Sequence, residues 1–190
     1  MERIVFLERS TFHAEFHRPQ FEHEWIDYGE TQQDQIVDRL RGASIVIRNK
    51  LPLRQPDLEK LPQLKLIAVA ATGVDNIDLK YCRARGISVC NTRNYARTSL
   101  PEHVLMLMLA LRRNLIRYLQ DVRSGKWQEA RQFCLIGHTI RDLQGSKIGI
   151  IGYGVLGQAV GAMARAIGCT GCRTQAASKN SRRKDRFQRG

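Results

Sequence analysis

The sequence predicts an α/β fold built on parallel strands. Three observations carry that expectation. Short apolar runs alternate with helical patterns through the first half of the chain, glycine or proline punctuates most junctions, and near residue 150 a strand-like run meets a glycine-rich turn that opens a helix. Strands alternating with helices at this rhythm favour a parallel sheet covered on both faces.

Ile4, Val5, Phe6 and Leu7 make a first strand over residues 3–7. Residues 34–41 carry Ile36, Val37 and Leu40 at helical spacing, with Gly42 as the stop. Ile45-Val46-Ile47 gives a second strand over 44–47, followed by a polar loop, Arg48-Asn49-Lys50. Residues 58–61 read as a short helix ended by Pro62, 64–71 as a third strand, 79–85 as a helix closed by Gly86, and 87–90 as a fourth strand.

The clearest helix start follows. Ser99 and Glu102 fit a capping box, with Pro101 in the first turn, where its missing N–H costs nothing. Residues 104–111 are apolar without a break, so this helix is expected to be buried on every side, at a domain junction or a subunit contact. Beyond Leu111 the pattern turns basic and ends at Ser124-Gly125, and residues 127–141 read as a connector. Residues 147–151 make another strand. Residues 158–167 make a helix with Val160, Met163, Ala164 and Ile167 on one face and Gly168 at its end. After Cys169 no apolar period appears, and no strand is expected.

The 190 residues suffice for one domain or somewhat more. The start lacks a basic segment followed by an apolar run, which argues against a signal peptide, and no apolar run approaches membrane-spanning length. A cytoplasmic protein without membrane attachment is the expectation. Five scattered cysteines argue against a disulfide framework, and Cys82, Cys90 and Cys134 read as buried thiols. The net charge of +13 is uneven. Arg173, Lys179, Arg182, Arg183, Lys184, Arg186 and Arg189 crowd the last segment against Asp185 alone, so charge says little about the rest of the chain. That tail has one aromatic, Phe187, and no recognisable module, so a solvated end is expected and nucleic acid is not an expected partner. Cys169 and Cys172 have no second pair to complete a zinc site. No metal site is expected.

Gly152-Tyr153-Gly154-Val155-Leu156-Gly157 is a G-x-G-x-x-G between a strand and a helix. Gly152 permits the tight turn, Gly154 lets backbone approach a pyrophosphate, and Gly157 lets the helix pack near the strand. The helix N-terminus then offers unpaired N–H groups to the phosphates. The fingerprint's acidic residue some 20 positions on is missing: Thr174, Gln175 and Ala176 stand there.

Two stretches resemble the D-isomer-specific 2-hydroxyacid dehydrogenases. The first is Ala70-Ala71-Thr72-Gly73-Val74-Asp75-Asn76-Ile77-Asp78, followed by Arg85-Gly86-Ile87-Ser88-Val89-Cys90-Asn91 and Pro101-Glu102-His103. The second is Leu143-Gln144-Gly145 leading into the glycine motif. Asn49-Lys50 and Arg93-Asn94-Tyr95 look most like the glycerate dehydrogenase, or hydroxypyruvate reductase, branch. The resemblance implies a flavodoxin-like substrate domain over 1–98, an interdomain helix and connector over 99–144, and the start of a Rossmann NAD-binding domain over 145–168. The basic tail, 169–190, lies beyond it.

It also implies hydride transfer between NAD(H) and a small 2-hydroxy or 2-oxo acid, with NADP left open, and a homodimer. Backbone around Gly73 and Val74 would hold the substrate carboxylate. Asn49 and Lys50 would line the same cleft, or form an ordinary solvated loop. Thr98 would lie near the nicotinamide, and residues Gly152 to Gly157 would bind the dinucleotide.

The family's catalytic arginine, histidine and glutamate come from the second half of the full-length enzyme and map onto no residue here, so the chain is expected to be inactive. His103 reads as a capping or packing residue, and His13, His17, His23 and His138 as surface residues. A non-catalytic dimerising or ligand-binding fragment is the alternative. Read one nucleotide later, with free synonymous choice, residues 169–175 can give Ala-Arg-Val-Ala-Glu-Arg-Lys, which resembles the family's next strand. A frameshift near Cys169 is the hypothesis, and a coding sequence that forbids those codons refutes it.

Overall fold

Five parallel strands form the first sheet of the computed structural model, which describes residues 1–170 and the backbone of residues 173–175. The chain divides into two units, Met1–Arg93 and Asn94–Gly190.

In the first unit the strands are β1 (Glu2–Phe6), β2 (His23–Asp27), β3 (Ile45–Arg48), β4 (Leu66–Val69) and β5 (Ser88–Asn91), in the order β2-β1-β3-β4-β5. This is the flavodoxin-like order. Ile4 pairs with Trp25 on one side and Ile45 on the other, and Ile45 in turn with Leu66. Successive residues Ile4, Val5 and Phe6 are all buried, as a strand covered on both faces requires. Helices α1 (Ile36–Arg39), α2 (Gln55–Leu58) and α3 (Leu79–Ala84) contribute Ile36, Leu58 and Cys82 to a core that also holds Leu40, Val46, Leu53 and Ile67. Burial in this core raises the Cys82 thiol above its ordinary range. Gly42 and Gly86 stop their helices at positive φ, 76° and 69°. The Asp78 carboxylate caps α3, accepting from the Tyr81 N–H at 3.0 Å.

Four expectations change in this unit. Strand β2 was not legible, because Trp25 and Ile26 are its only large apolar residues; as an edge strand it is held by its ladder to β1. His23, expected at the surface, is half-buried between the rings of Phe21 and Trp25. Helix α2 ends where the reading began it, since Pro56 fits its first turn and the Arg54 N–H donates to Asp57 at 3.3 Å. Cys90, expected buried, is exposed on the edge strand β5, and in the second unit Cys134, also expected buried, is half-buried.

The second unit comprises α4 (Ser99–Arg112), α5 (Leu115–Arg123), α6 (Lys126–Glu129), β6 (Gly149–Ile151), α7 (Val155–Ala166) and β7 (Arg173–Gln175). Its core is small: Leu143, Ala164 and Cys169, with Leu105, Met108, Ile148 and Ile167 against them. The all-round burial expected of α4 is absent: Met106, Leu107, Leu109 and Leu111 are exposed. The capping box does not form either. Helix α4 begins at Ser99, Thr98 takes the N-cap position without a side-chain bond, and His103 lies exposed. Asn114, at φ 51°, breaks α4 from α5.

His138 is not a free surface residue. Its Nε2 lies 2.8 Å from Asp121 Oδ2, and its ring meets Tyr118 edge-on at 5.1 Å. Lys126 Nζ donates to the other Asp121 oxygen at 2.6 Å, and this bond foremost lowers the Asp121 pKa. A strand also stands where none was expected. β7 pairs in parallel with β6, Ile151 opposite Gln175, because the open edge of β6 supplies hydrogen bonds that a three-residue strand cannot announce by pattern. The expected solvated tail and the Cys172 partner of Cys169 fall outside the described residues. Among the described residues no helix is long and apolar enough to cross a membrane.

Candidate functional site

Loops at the carboxyl ends of β1, β3 and β4 form one edge of the first sheet. Glu8 follows β1, Asn49 and Lys50 follow β3, and Gly73 and Val74 follow β4. Ligands of open α/β sheets bind at this edge.

The two segments expected to meet substrate are joined here. Asn76 donates from Nδ2 to the Lys50 carbonyl at 3.1 Å and accepts at Oδ1 from Arg48 Nη1 at 2.6 Å. The Leu53 N–H donates to the Asn76 carbonyl at 3.0 Å. Arg48 also donates from Nη2 to the Leu51 carbonyl. Arg48 is therefore not loop but the fully buried end of β3. Burial is the main cause that pulls its pKa down to about 10, and the nearby Glu8 carboxylate opposes it.

The amides of these loops differ in what they bind. Glu8 is buried, and its carboxylate accepts from Asn49 N–H at 2.7 Å, Lys50 N–H at 3.0 Å and Leu51 N–H at 3.2 Å. The N–H groups of Gly73 and Val74 find no acceptor among the described residues. Asn91 Nδ2, bonded to the Thr72 carbonyl at 2.7 Å, and Thr72 Oγ1, bonded to the Thr92 carbonyl at 3.0 Å, hold that turn against the end of β5. The Asn49 side chain is turned to Thr11 Oγ1 at 3.1 Å, whereas Lys50 is exposed, with no partner for its ammonium among the described residues. A backbone turn with free donors can hold a small carboxylate, and Asn76 ties this turn to the backbone of the loop that carries Lys50. Sequence reasoning missed Glu8, Arg48 and Asn76. Asn76 stood inside a stretch already singled out, but nothing in the pattern revealed its bonds.

In the second unit the glycines of the motif each do a different task. Gly152 sits at φ 87°, a conformation that suits glycine. A Cβ on Gly157 would overlap the Gly152 carbonyl oxygen, so the approach of α7 to the turn demands glycine. A Cβ on Gly154 would meet nothing within 4 Å, so the backbone there is open to a ligand. Helix α7 begins directly after, with Gly154 as its N-cap, and the first N–H groups of a helix have no partner within it. This open cradle and its free donors fit a diphosphate. The structure brings Tyr153 and Val155 together with Thr98 along an open cleft of about 980 Å³, with Asn94, Arg97 and Gln158 also on its wall. Gly152, Gly154, Leu156 and Gly157 do not line this cleft but form the adjoining turn and helix start. Arg97 and Gln158 were not among the expected residues.

The catalytic domain of the D-isomer specific 2-hydroxyacid dehydrogenases matches residues 4–185. The glycerate dehydrogenase of Methylorubrum extorquens is 46% identical over 168 residues, covering 88% of this chain and 54% of that protein. The hydroxypyruvate reductase of Blautia hydrogenotrophica is 33% identical over 138 residues, covering 73% of this chain and 43% of that protein. The chain thus spans about half the length of the curated relatives it matches.

Among solved structures, the TT0316 protein of Thermus thermophilus superposes with a TM-score of 0.72 at 24% identity, over 92% of this chain and 60% of its own. Two further neighbours hold cofactor. An acyclic imino acid reductase in complex with NADPH has a TM-score of 0.70 at 19% identity, over 91% of this chain and 60% of its own. The NAD+-bound 3-phosphoglycerate dehydrogenase of Entamoeba histolytica has 0.63 at 20%, over 94% and 54%. At these identities the structures speak to the fold. The sequence matches go further: the chain belongs to the D-isomer specific 2-hydroxyacid dehydrogenases, oxidoreductases that act on CH–OH groups with a nicotinamide dinucleotide.

Proposed function

We propose that this chain carries the carboxylate-binding loops and the diphosphate-binding turn of an NAD-dependent dehydrogenase that interconverts glycerate and hydroxypyruvate. The observation that carries the reading is the pair of open amides at Gly73 and Val74, tied through Asn76 to the loop that presents Lys50. The identity to a glycerate dehydrogenase supports the substrate. A nicotinamide dinucleotide held at the turn from Gly152 to Gly157 would supply the hydride-transfer chemistry. The amides of Gly73 and Val74 and the Lys50 ammonium fix the acid's carboxylate. The turn from Gly152 to Gly157 and the start of α7 hold the diphosphate, and Thr98 lies along the neighbouring cleft. No acid stands at the end of β7 to grip ribose hydroxyls, so NADP is the second candidate cofactor and belongs in the same titration. The arginine, histidine and glutamate expected of the family correspond to no residue here, and the 190-residue chain is expected to be inactive. Hydroxypyruvate-dependent oxidation of NADH by the purified chain would overturn that. Titration with oxalate, a small dicarboxylate, is expected to move the amide resonances of Gly73 and Val74 saturably; unmoved resonances refute the carboxylate site.

The exposed apolar residues of α4 and α5 favour a second reading beside this one, a homodimer through that face. Sedimentation is expected to show a concentration-dependent dimer that Leu109→Glu abolishes, and a monomer at all concentrations would exclude it.

A further inference from the structure

The topological switch point of the first sheet lies between β1 and β3, since the chain runs outward from β1 to β2 and then returns past β1 to β3. A crevice at the carboxyl ends of such strands is where doubly wound sheets take anionic ligands. Here it is already filled. Glu8, 7% exposed, lays both carboxylate oxygens against the successive N–H groups of Asn49, Lys50 and Leu51. Arg48 lies on the other side of the same segment, bonded to the Leu51 carbonyl. The peptide groups of residues 49–51 are thus held at their N–H side by an anion and at a C=O by a cation. A carboxylate suits the first role because it only accepts, through two oxygens, and its bonds to N–H groups are charge-assisted.

We propose that Glu8 is a built-in anion, a positioning residue that occupies the amide nest at 49–51, closes it to substrate, and sets Lys50 toward the carboxylate site at Gly73 and Val74. The proposal rests on that carboxylate site for its functional half. It divides the two residues expected at the cleft. Asn49, bonded through its side chain to Thr11, belongs to the scaffold, because Thr11 Oγ1 donates in turn to the Glu8 carbonyl at 2.7 Å. Lys50 keeps a free ammonium and is the residue that meets ligand. Asn76 completes the link by holding the Lys50 carbonyl.

The test is amide NMR on the 190-residue chain with formate and oxalate as probes. In the wild type, formate is expected to leave the resonances of residues 49–51 in place. In Glu8→Ala those resonances shift, and formate returns them saturably toward their wild-type positions by filling the vacated nest. A general loss of packing would not respond to formate. Resonances unchanged in Glu8→Ala, or shifted but indifferent to formate, overturn the proposal. Should Glu8→Ala fail to fold, Glu8→Gln decides: amide exchange at 49–51 is expected to quicken about tenfold or more, as loss of charge-assisted bonds implies, and unchanged exchange overturns the nest. With oxalate, Glu8→Gln is expected to bind about fivefold more weakly than wild type, and equal affinity overturns the positioning of Lys50. If Gly73 and Val74 ignore oxalate in the wild type, the carboxylate site fails and the positioning of Lys50 toward it fails with it, while the formate result still judges the nest by itself.

Discussion

Val5, Leu40, Val46 and Ile67 of the first unit are fully buried, whereas in the second unit Leu111 is 78% exposed and Ile151 86%. The first unit closes its own core between sheet and helices. The second is fastened by polar stitches instead. Arg112 Nη2 reaches the Asp142 carbonyl and Ser146 Oγ at 2.8 and 2.7 Å, Arg113 pairs with Asp142 at 2.6 Å, and Asp121 gathers Lys126 and His138. An exposed ion pair such as Arg113–Asp142 contributes roughly 0–1 kcal/mol, while each large side chain buried in the first core contributes about 1.5–3 kcal/mol. The contrast teaches that stability along this chain is uneven, and that the second unit leaves large apolar side chains of α4 and α5 exposed among the described residues.

Ile67→Ala strikes the denser side of that contrast and carries the largest effect. It is expected to cost about 2–5 kcal/mol, lowering the melting of the first unit while the amide exchange of α7 stays as it was. Loss of both units together would show them to be one cooperative body. Next comes a paired substitution at the glycine turn. Gly157→Ala forces a Cβ into the Gly152 carbonyl oxygen and is expected to destabilise the second unit by about 1–3 kcal/mol. Gly154→Ala meets open space and is expected to change stability by less than about 0.5 kcal/mol, yet to weaken binding of NADH, read by its fluorescence. Equal melting temperatures for the two variants would contradict the close approach at Gly157.

The smallest effect is a pH dependence. The Asp121 pKa is lowered, chiefly by the Lys126 hydrogen bond and further by His138, against the effect of burial. A carboxyl lowered on folding contributes stability above its unfolded value, about 3.9, and loses it as pH falls through the folded value. As pH falls below about 4, amides near His138 are expected to lose protection relative to their intrinsic exchange rates, and Asp121→Asn is expected to remove that dependence. An unaltered acid response in Asp121→Asn would assign it to another group.

How much of this was legible follows from what each signal depends on. Helix stops at Gly42 and Gly86 and the turn at Gly152 were readable because φ preference belongs to the residue itself. Strand β1 and strands β3 to β6 were readable from their own apolar runs. Strand β2 and strand β7 were not, since each is held by a neighbour's hydrogen bonds rather than by its own composition. The burial of α4 was overestimated because an apolar segment states what it needs, not whether the chain supplies it. At the candidate site Gly73, Val74, Asn49 and Lys50 were named from a resemblance. Glu8 reaches its partners across some forty residues of sequence, and no local pattern encodes such a contact. His138 eluded the reading likewise, its carboxylate lying 17 positions away.

The ladder between β6 and β7 has one more consequence. Among the described residues it has only two strands, so each has one edge without a paired strand among those residues. Edges of that kind recruit further strands from other molecules, and the side chain of Ile151 offers them an apolar handle. Association through that edge is therefore expected to rise with concentration and to fall with a peptide that caps the ladder, and light scattering that stays flat on concentration would exclude it.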